Sequence, residues 1–516
     1  MLEKKDINFL TIILLLTFVT RSFYLLLDLP PYSFCDEMLV YKNFISLSEN
    51  FKGFVYLKFG NLNIYPSIFF YKIIDFLNLI EIFNENPRRI IFFGRVVNLI
   101  LFNVPTVILI YYLNKLIFGN AKIAKIGSII FLLSPYIISN SYFWYPDSYV
   151  FFFNSLFLIL ILLIYKNKLN INNKSILSIG IVWGLSVSIK LTSVYLLIPF
   201  FLIINNKIKQ IFSYKFIYFN FLFGTSGFLV YLLINFQLFE NIQIFLSDIS
   251  SHMDNYYYDE INQSFFGIVF YFFTSYLKFF GIISFFIFFV GYFFIFRFDK
   301  IVFFTLISFP IFLIIYLGSA DLFVYRNMTS IIPFLIPVLS FGFYKLYLFS
   351  NEYFKNVFLK IIFKFFLLLP FIVNFLIIIV QAKDNFSDDL RFVAKDWIKH
   401  NIEPNTTIGV NSYCFGPSPA QINDNILIQD FTLEKKNIEY YVLTSDNDPF
   451  RKYYQANYSF IEILNQRNIH SLMWQNKKIL ISLDKEKVDK YFRGYEIMKL
   501  FKNLNGPDII ILRRKL

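Results

Sequence analysis

Cysteine and histidine are nearly missing from this 516-residue chain, which has two Cys, at 35 and 414, and three His, at 252, 400 and 470. No CxxC, HExxH or clustered Cys/His pair occurs, so a Cys/His metal site has no support. Two cysteines allow at most one disulfide, Cys35–Cys414, whose geometry no sequence can set. Charged residues are scarce too, at 16%. There is no Gly-rich phosphate loop and no nucleotide-binding pattern, and the chemistry calls for no cofactor, with a divalent cation left open. No internal repeat is found, so the inverted-repeat signature of many transporters is missing. The apolar runs are continuous and do not alternate with period two, which argues against a membrane β-barrel.

What is present is apolar. Hydrophobic residues make up 57% of the chain, and mean hydropathy is +0.56. Several uncharged runs reach the ~20 residues that cross a bilayer as helix, so the chain reads as a polytopic α-helical membrane protein. The 72 Phe and 36 Tyr are over-used together with Ile, Lys and Asn, which is the bias of an AT-rich genome and not an aromatic cage.

Net charge is +13, and its distribution decides its use. Lys115, Lys122 and Lys125, then Lys166, Lys168 and Lys174, then Lys207, Lys209 and Lys215 occupy short connections that contain no acid. The alternate connections carry Asp36, Glu37, Asp147, Asp248, Asp254, Asp259 and Glu260. This asymmetry places the lysines on the cytoplasmic side of the plasma (inner) membrane. Nucleic acid is therefore not expected as a partner. The N-terminus, with Lys4 and Lys5 before an apolar run and no small-residue cleavage site, reads as an uncleaved cytoplasmic signal anchor.

The first span is expected over residues 8–27, with large outer loops at 28–89 and 236–264. Within the first loop, residues 65–83 are apolar but broken by Lys72 and Asp75, as in a helix lying in the interface. The run 175–204 contains one charge, Lys190, and reads as two short helices meeting there on the outer side. Counting onward gives about eleven spans in residues 1–382 and an extracytoplasmic C-terminus. Composition turns soluble at about 383. Leu390, Val393, Ala394, Trp397 and Ile398 fall on one helical face, and strands are expected at 407–410, 439–444, 478–482, 495–501 and 508–512. Residues 383–516 thus read as a small α/β domain.

The charges at membrane edges carry the functional argument, because such charges are costly. Asp36 and Glu37 follow the first span so closely that, at about 3.5 Å per residue, they stay within roughly 30 Å of the bilayer. With this topology Asp36, Glu37, Arg95, Asp147, Lys190 and Arg326 share the outer face. A carboxylate there can take the proton of an acceptor hydroxyl attacking a sugar C1. Cations stabilise the departing phosphate. Each residue also has a plainer reading: Asp36 and Glu37 as loop acids, Asp147 as a helix cap, Arg95 and Arg326 as interface anchors, Lys190 as structural, and His252 as solvated.

The order Asp36-Glu37 after the first span, Arg95 early in the second, Asp147 between the third and fourth, and Gly184…Lys190-Leu191-Thr192 resembles the integral-membrane GT-C glycosyltransferases. The pattern is similar to protein O-mannosyltransferases and lipid A aminoarabinose transferases. Arg391…Trp397-Ile398 and the closing Asn505-Gly506-Pro507-Asp508 resemble the C-terminal domain of those enzymes. The resemblance implies a polyprenyl-phosphate-linked sugar as donor, inversion at C1 and Asp36 as base. Of the Glu-Lys-Pro-Pro stretch of the aminoarabinose transferases, only Pro66 survives, within Asn63-Ile64-Tyr65-Pro66-Ser67. Lys58 or Lys72 would then replace its phosphate-contacting lysine, with Tyr65 and His252 as further substrate-loop candidates. Lipid A is not supported as acceptor. No Trp-Trp-Asp motif follows, which weighs against an oligosaccharyltransferase.

The expectation is an inverting glycosyltransferase with Asp36, Glu37 and Asp147 as its catalytic acids and Arg95, Lys190 and Arg326 on the donor phosphate. Its acceptor would be a glycan, lipid or protein. The rivals are a lipid-linked-sugar flippase, which would need mid-membrane charges and two-fold repetition, and a surface-polysaccharide polymerase or ligase with an Arg-rich outer loop. The second outer loop here is acidic and Tyr-rich instead.

Overall fold

The computed structural model describes residues 3–26, 35–50, 61–79, 86–141, 143–209, 213–238, 279–318, 325–384, 390–403, 408–410, 428–430, 439–444, 495–501 and 509–514, with a few isolated positions between them. The chain divides into two compact units, Met1–Leu25 with Val40–Leu376 and Leu26–Leu39 with Ile377–Leu516.

The first unit is helical. Among the described residues, seven helices are long and apolar enough to cross a membrane: Pro87–Phe118, Pro146–Tyr165, Leu191–Ile208, Tyr214–Ile234, Lys300–Leu317, Asn327–Tyr353 and Val357–Ile379. Two shorter apolar helices, Asn173–Ile189 and Ile283–Phe298, join them. The helix Lys4–Ser22 is the expected first span, but its four charged residues keep it out of that set. The expected third span is broken at Ser134, where Ala121–Leu133 gives way to the single turn Pro135–Ser139. Pro135 explains the break, since its ring cannot continue the preceding helix. The expected interfacial helix begins where it should but is short, Tyr65–Phe76, with Phe69, Ile73 and Phe76 exposed.

Several of the lysine-rich helix ends make polar contacts. Lys115 Nζ lies 2.8 Å and Lys125 Nζ 3.6 Å from the buried Asp6 carboxylate. Lys166 pairs with Asp299 at 3.1 Å, and Lys207 donates to the Asn167 side chain at 2.7 Å. The N-terminal helix is thereby bound to the 115–125 connection, and the 166–167 connection to Asp299 and Lys207.

Small residues let the helices approach. Asn173–Ile189 and Tyr214–Ile234 cross where Gly180 and Gly184, one turn apart, meet Ser226 and Gly227. Helices in lipid associate by such close packing, because the tails are as apolar as leucine. A Cβ on Gly184 would run into the Gly227 backbone, which cannot swing aside as a side chain can. Gly184→Val is therefore expected to cost about 1–3 kcal/mol by overpacking, read as a lower unfolding temperature in detergent. Gly224 faces open space, so Gly224→Ala is expected to stay within about 0.5 kcal/mol of wild type. Equal unfolding of wild type and Gly184→Val would show that the crossing is not close-packed.

The second unit contains a five-stranded sheet in the order β2-β1-β3-β5-β4, with β1 Ile408–Val410, β2 Ile428–Asp430, β3 Tyr440–Thr444, β4 Tyr495–Phe501 and β5 Ile509–Arg514. β1 pairs in parallel with β2 and β3, while β5 runs antiparallel to both β3 and β4. Four of the expected strands appear, β2 was not foreseen, and 478–482 lies outside the described residues. The helix Leu390–Asn401 buries Ala394 and Ile398 with Ile408, Tyr440, Val442 and Ile511. Trp397 packs partly against that core, whereas Val393, expected on the same face, sits at its rim and stays 36% exposed.

Candidate active site

Three elements of the first unit end at one place. Pro146 opens the helix Pro146–Tyr165, its preset φ suiting the first turn, and puts Asp147 next to the helix N-terminus. The cap residue is Tyr145, which makes no side-chain capping bond, so Asp147 is not the cap that the plainer reading suggested. Lys190 ends the helix Asn173–Ile189 in an extended conformation, and the 3-10 turns Leu191–Leu196 follow. The apolar run is thus two helices meeting at Lys190, as expected. The third element is the 3-10 helix Tyr325–Ile331, which leads into Ile332–Tyr353.

These ends form a buried ion pair. Lys190 Nζ lies 3.2 Å from Asp147 Oδ1, the two residues being 8% and 1% exposed. The Thr329 hydroxyl donates to the same oxygen at 2.6 Å and accepts from Lys190 Nζ at 3.3 Å. Around this triangle the contacts stay polar. The Asn154 amide donates to the Ser330 carbonyl at 3.0 Å, and the Thr192 and Ser330 hydroxyls lie 3.4 Å apart. The Trp183 indole donates to the Ser193 carbonyl at 3.2 Å. Polar residues buried in a membrane bundle are satisfied within the protein, as here.

On the other side of Asp147, the segment before it is gripped by the Pro87–Phe118 helix. That helix widens to a π-turn at Leu99–Asn103, a distortion that often re-aims side chains at functional sites. Asn98 donates to the Phe143 carbonyl at 2.7 Å and Asn103 to the Ser141 carbonyl at 3.1 Å. Trp144 lies flat over Gly94, where any side chain would collide with its ring. Trp144 and Tyr149 both donate to the Asn63 carbonyl, at 3.2 and 2.8 Å.

The other expected residues divide. Arg95 is fully buried, donates to the Leu25 carbonyl at 2.9 Å and lies over the Phe143 ring at 5.2 Å. Asp36 and Glu37 are not loop acids. Both stand in the first turn of the helix Cys35–Asn50, and Glu37 is fully buried. Arg326 belongs to the 3-10 helix, one turn before Thr329. The Tyr65 hydroxyl is spent on the Ile234 carbonyl at 2.9 Å, and Lys72 makes an exposed 3.9 Å pair with Asp75. Lys58, His252 and Cys414 lie outside the described residues. No group of three or more His, Cys, Asp or Glu suited to a metal occurs among the described residues. Thr329, Ser330 and Asn154 were missed in the sequence, because uncharged polar residues are common in membrane helices and only the contacts distinguish these.

Comparison with known proteins follows the same region. Residues 77–234 match the family model described as dolichyl-phosphate-mannose-protein mannosyltransferase, and this stretch contains Arg95, Asp147 and Lys190. No curated protein matches the chain in sequence. Among solved structures, the apo oligosaccharyltransferase of Archaeoglobus fulgidus is similar with a TM-score of 0.50 and 13% identity, over 85% of this chain and 69% of that one. ArnT from Cupriavidus metallidurans, bound to undecaprenyl phosphate, is similar with a TM-score of 0.47 and 10% identity, over 98% and 97%. The first of these likenesses shows a shared fold. With its bundle of apolar helices and the match over residues 77–234, the chain is a membrane protein resembling the dolichyl-phosphate-mannose-protein mannosyltransferases, glycosyltransferases of the GT-C type.

Proposed function

We propose that this protein is an inverting glycosyltransferase that moves one sugar from a polyprenyl phosphate to an acceptor hydroxyl at the outer face of the plasma (inner) membrane. The observation that carries the reading is the buried Asp147–Lys190–Thr329 cluster, whose two charged members lie within the stretch similar to the mannosyltransferases. A buried ion pair is retained only where it is well bonded, and replacing it by apolar residues is often neutral for stability. Its place where three membrane helices end suits a function at the membrane surface.

In this reaction the acceptor oxygen attacks C1 of the sugar while Asp36 takes its proton. The bond from C1 to the phosphate oxygen breaks, and polyprenyl phosphate leaves with the electron pair. Lys190, with Arg95 and Arg326, stabilises that leaving charge. Asp147 holds Lys190 and orients the acceptor, and Glu37 supports Asp36. The lipid donor enters from the bilayer, so no nucleotide fold is needed. The N-terminus is cytoplasmic and residues 383–516 form an extracytoplasmic domain. The acceptor is a glycan, lipid or protein.

The test is release of free polyprenyl phosphate when purified protein in vesicles meets a labelled polyprenyl-phosphate sugar and total surface glycan as acceptor. Release together with labelled acceptor supports the reading. A labelled donor that crosses the bilayer intact, without release, would make the protein a flippase.

A further inference from the structure

The 3-10 helix Tyr325–Ile331 contributes the hydroxyl that completes the ion pair, although its position is separated from Asp147 by 182 residues of chain. Thr329 is fully buried and bonds both charges at once, donating to Asp147 Oδ1 at 2.6 Å and accepting from Lys190 Nζ at 3.3 Å. Lys190 itself reaches the same Oδ1 at 3.2 Å. Three groups thus close a triangle on a single carboxylate oxygen. A lysine ammonium is a point charge on a flexible stem, and the Asp147 and Thr329 contacts, on separate helices, hold it from two directions. The 3-10 helix is in turn pinned on both flanks. Asn154, on the Asp147 helix, holds the Ser330 carbonyl, and Thr192, just after Lys190, lies 3.4 Å from the Ser330 hydroxyl.

We propose that Thr329 is a positioning residue for donor binding. It holds the Lys190 ammonium in the place from which it meets the phosphate of a polyprenyl phosphate. This rests on the reading of Lys190 as a phosphate partner. The hydroxyl does not touch the donor. It removes the freedom that Lys190 would otherwise lose when the phosphate arrives, which is preorganisation in the sense that lowers the cost of binding. A hydrogen bond to a charged group contributes about 1.5–3 kcal/mol, so loss of the hydroxyl is expected to weaken lipid-phosphate binding by roughly 10- to 100-fold.

The experiment uses the full-length protein in detergent with undecaprenyl phosphate, which carries no sugar, as the probe. Binding is measured by the rise in unfolding temperature as the lipid phosphate is titrated, and transfer kinetics are measured beside it with the labelled donor. Thr329→Val keeps the shape and removes the hydroxyl; Thr329→Ser keeps the hydroxyl. Thr329→Val is expected to need at least about tenfold more undecaprenyl phosphate for half-saturation and to raise KM for the donor with a smaller change in kcat. Thr329→Ser is expected to restore both. A merely structural threonine would lower the starting unfolding temperature in Thr329→Val without moving the half-saturation point, and that result overturns the proposal. Should Thr329→Val not accumulate, Thr329→Ala is titrated in its place and read in the same way. Wild type that binds and transfers alongside an unaffected Thr329→Val refutes the inference alone. Wild type that binds no undecaprenyl phosphate overturns the reading of Lys190 with it.

Discussion

Asp36→Asn is expected to lose transfer activity by about 10²–10⁴-fold while still binding the lipid phosphate, since a general base contributes on that order. Asparagine is nearly isosteric with aspartate but cannot accept the acceptor's proton. Asp36 stands in the first turn of the helix Cys35–Asn50. The phosphate contacts are assigned to cations on other elements, so binding and catalysis should separate in this variant. Glu37→Gln tests the neighbour. Glu37 is fully buried, and adjacent side chains on a helix point about 100° apart, so one role cannot serve both acids. Its loss is expected to be smaller in rate and larger in stability. Single-turnover transfer from a labelled donor, with unfolding measured in the same preparations, decides between them. If folded Asp36→Asn keeps more than about a tenth of wild-type transfer, the base lies elsewhere. Glu37 and Asp147 are then the next candidates.

Lys190→Met should damage both activity and stability. Removing one partner of a buried ion pair costs about 3–5 kcal/mol, because the remaining charge is left unpaired. Asp147 and Lys190 are nearly inaccessible to water, so solvent screening offers little relief. Asp147→Asn is expected to destabilise for the same reason, leaving the ammonium behind. The double variant Lys190→Met with Asp147→Asn removes both charges and is expected to recover most of the lost stability. Its transfer activity should stay low, since the phosphate partner is still gone. Unfolding in detergent and donor titration across the four proteins form a double-mutant cycle. Stability losses that simply add would show that the pair is not coupled. Recovery of donor use in the double variant would move the phosphate contact from Lys190 to Arg95 or Arg326.

The sequence is most legible where composition alone dictates the outcome. Apolar runs of bilayer length have no stable alternative to helix in a membrane, because every backbone polar group must be satisfied inside the segment. Lys190 was visible for the same reason: a lone cation in an apolar run is costly enough to stand out. The lysine-rich connections were equally plain, and they meet at Asp6, Asp299 and Asn167. In the C-terminal unit, alternation and helical spacing located four strands and the helix Leu390–Asn401. β2, Ile428–Asp430, was not among the expected strands.

Charge spacing and hydropathy determined that this is a helical membrane protein, which end carries the lysines, and which acids and cations lie near the helix ends. They did not determine which of those charges touch. Asp147 and Lys190 are 43 residues apart and Thr329 a further 139 beyond Lys190, and no local periodicity relates such positions. Their meeting depends on the tertiary structure. The glycine crossing at Gly184 and Gly227 sets the distance between the helix ending in Lys190 and its neighbour. The bonds of Asn154 and Thr192 to Ser330 seat the 3-10 helix against both elements. Local sequence encodes where a helix must begin and end, whereas the partner of a buried charge is chosen by packing among segments far apart in the chain.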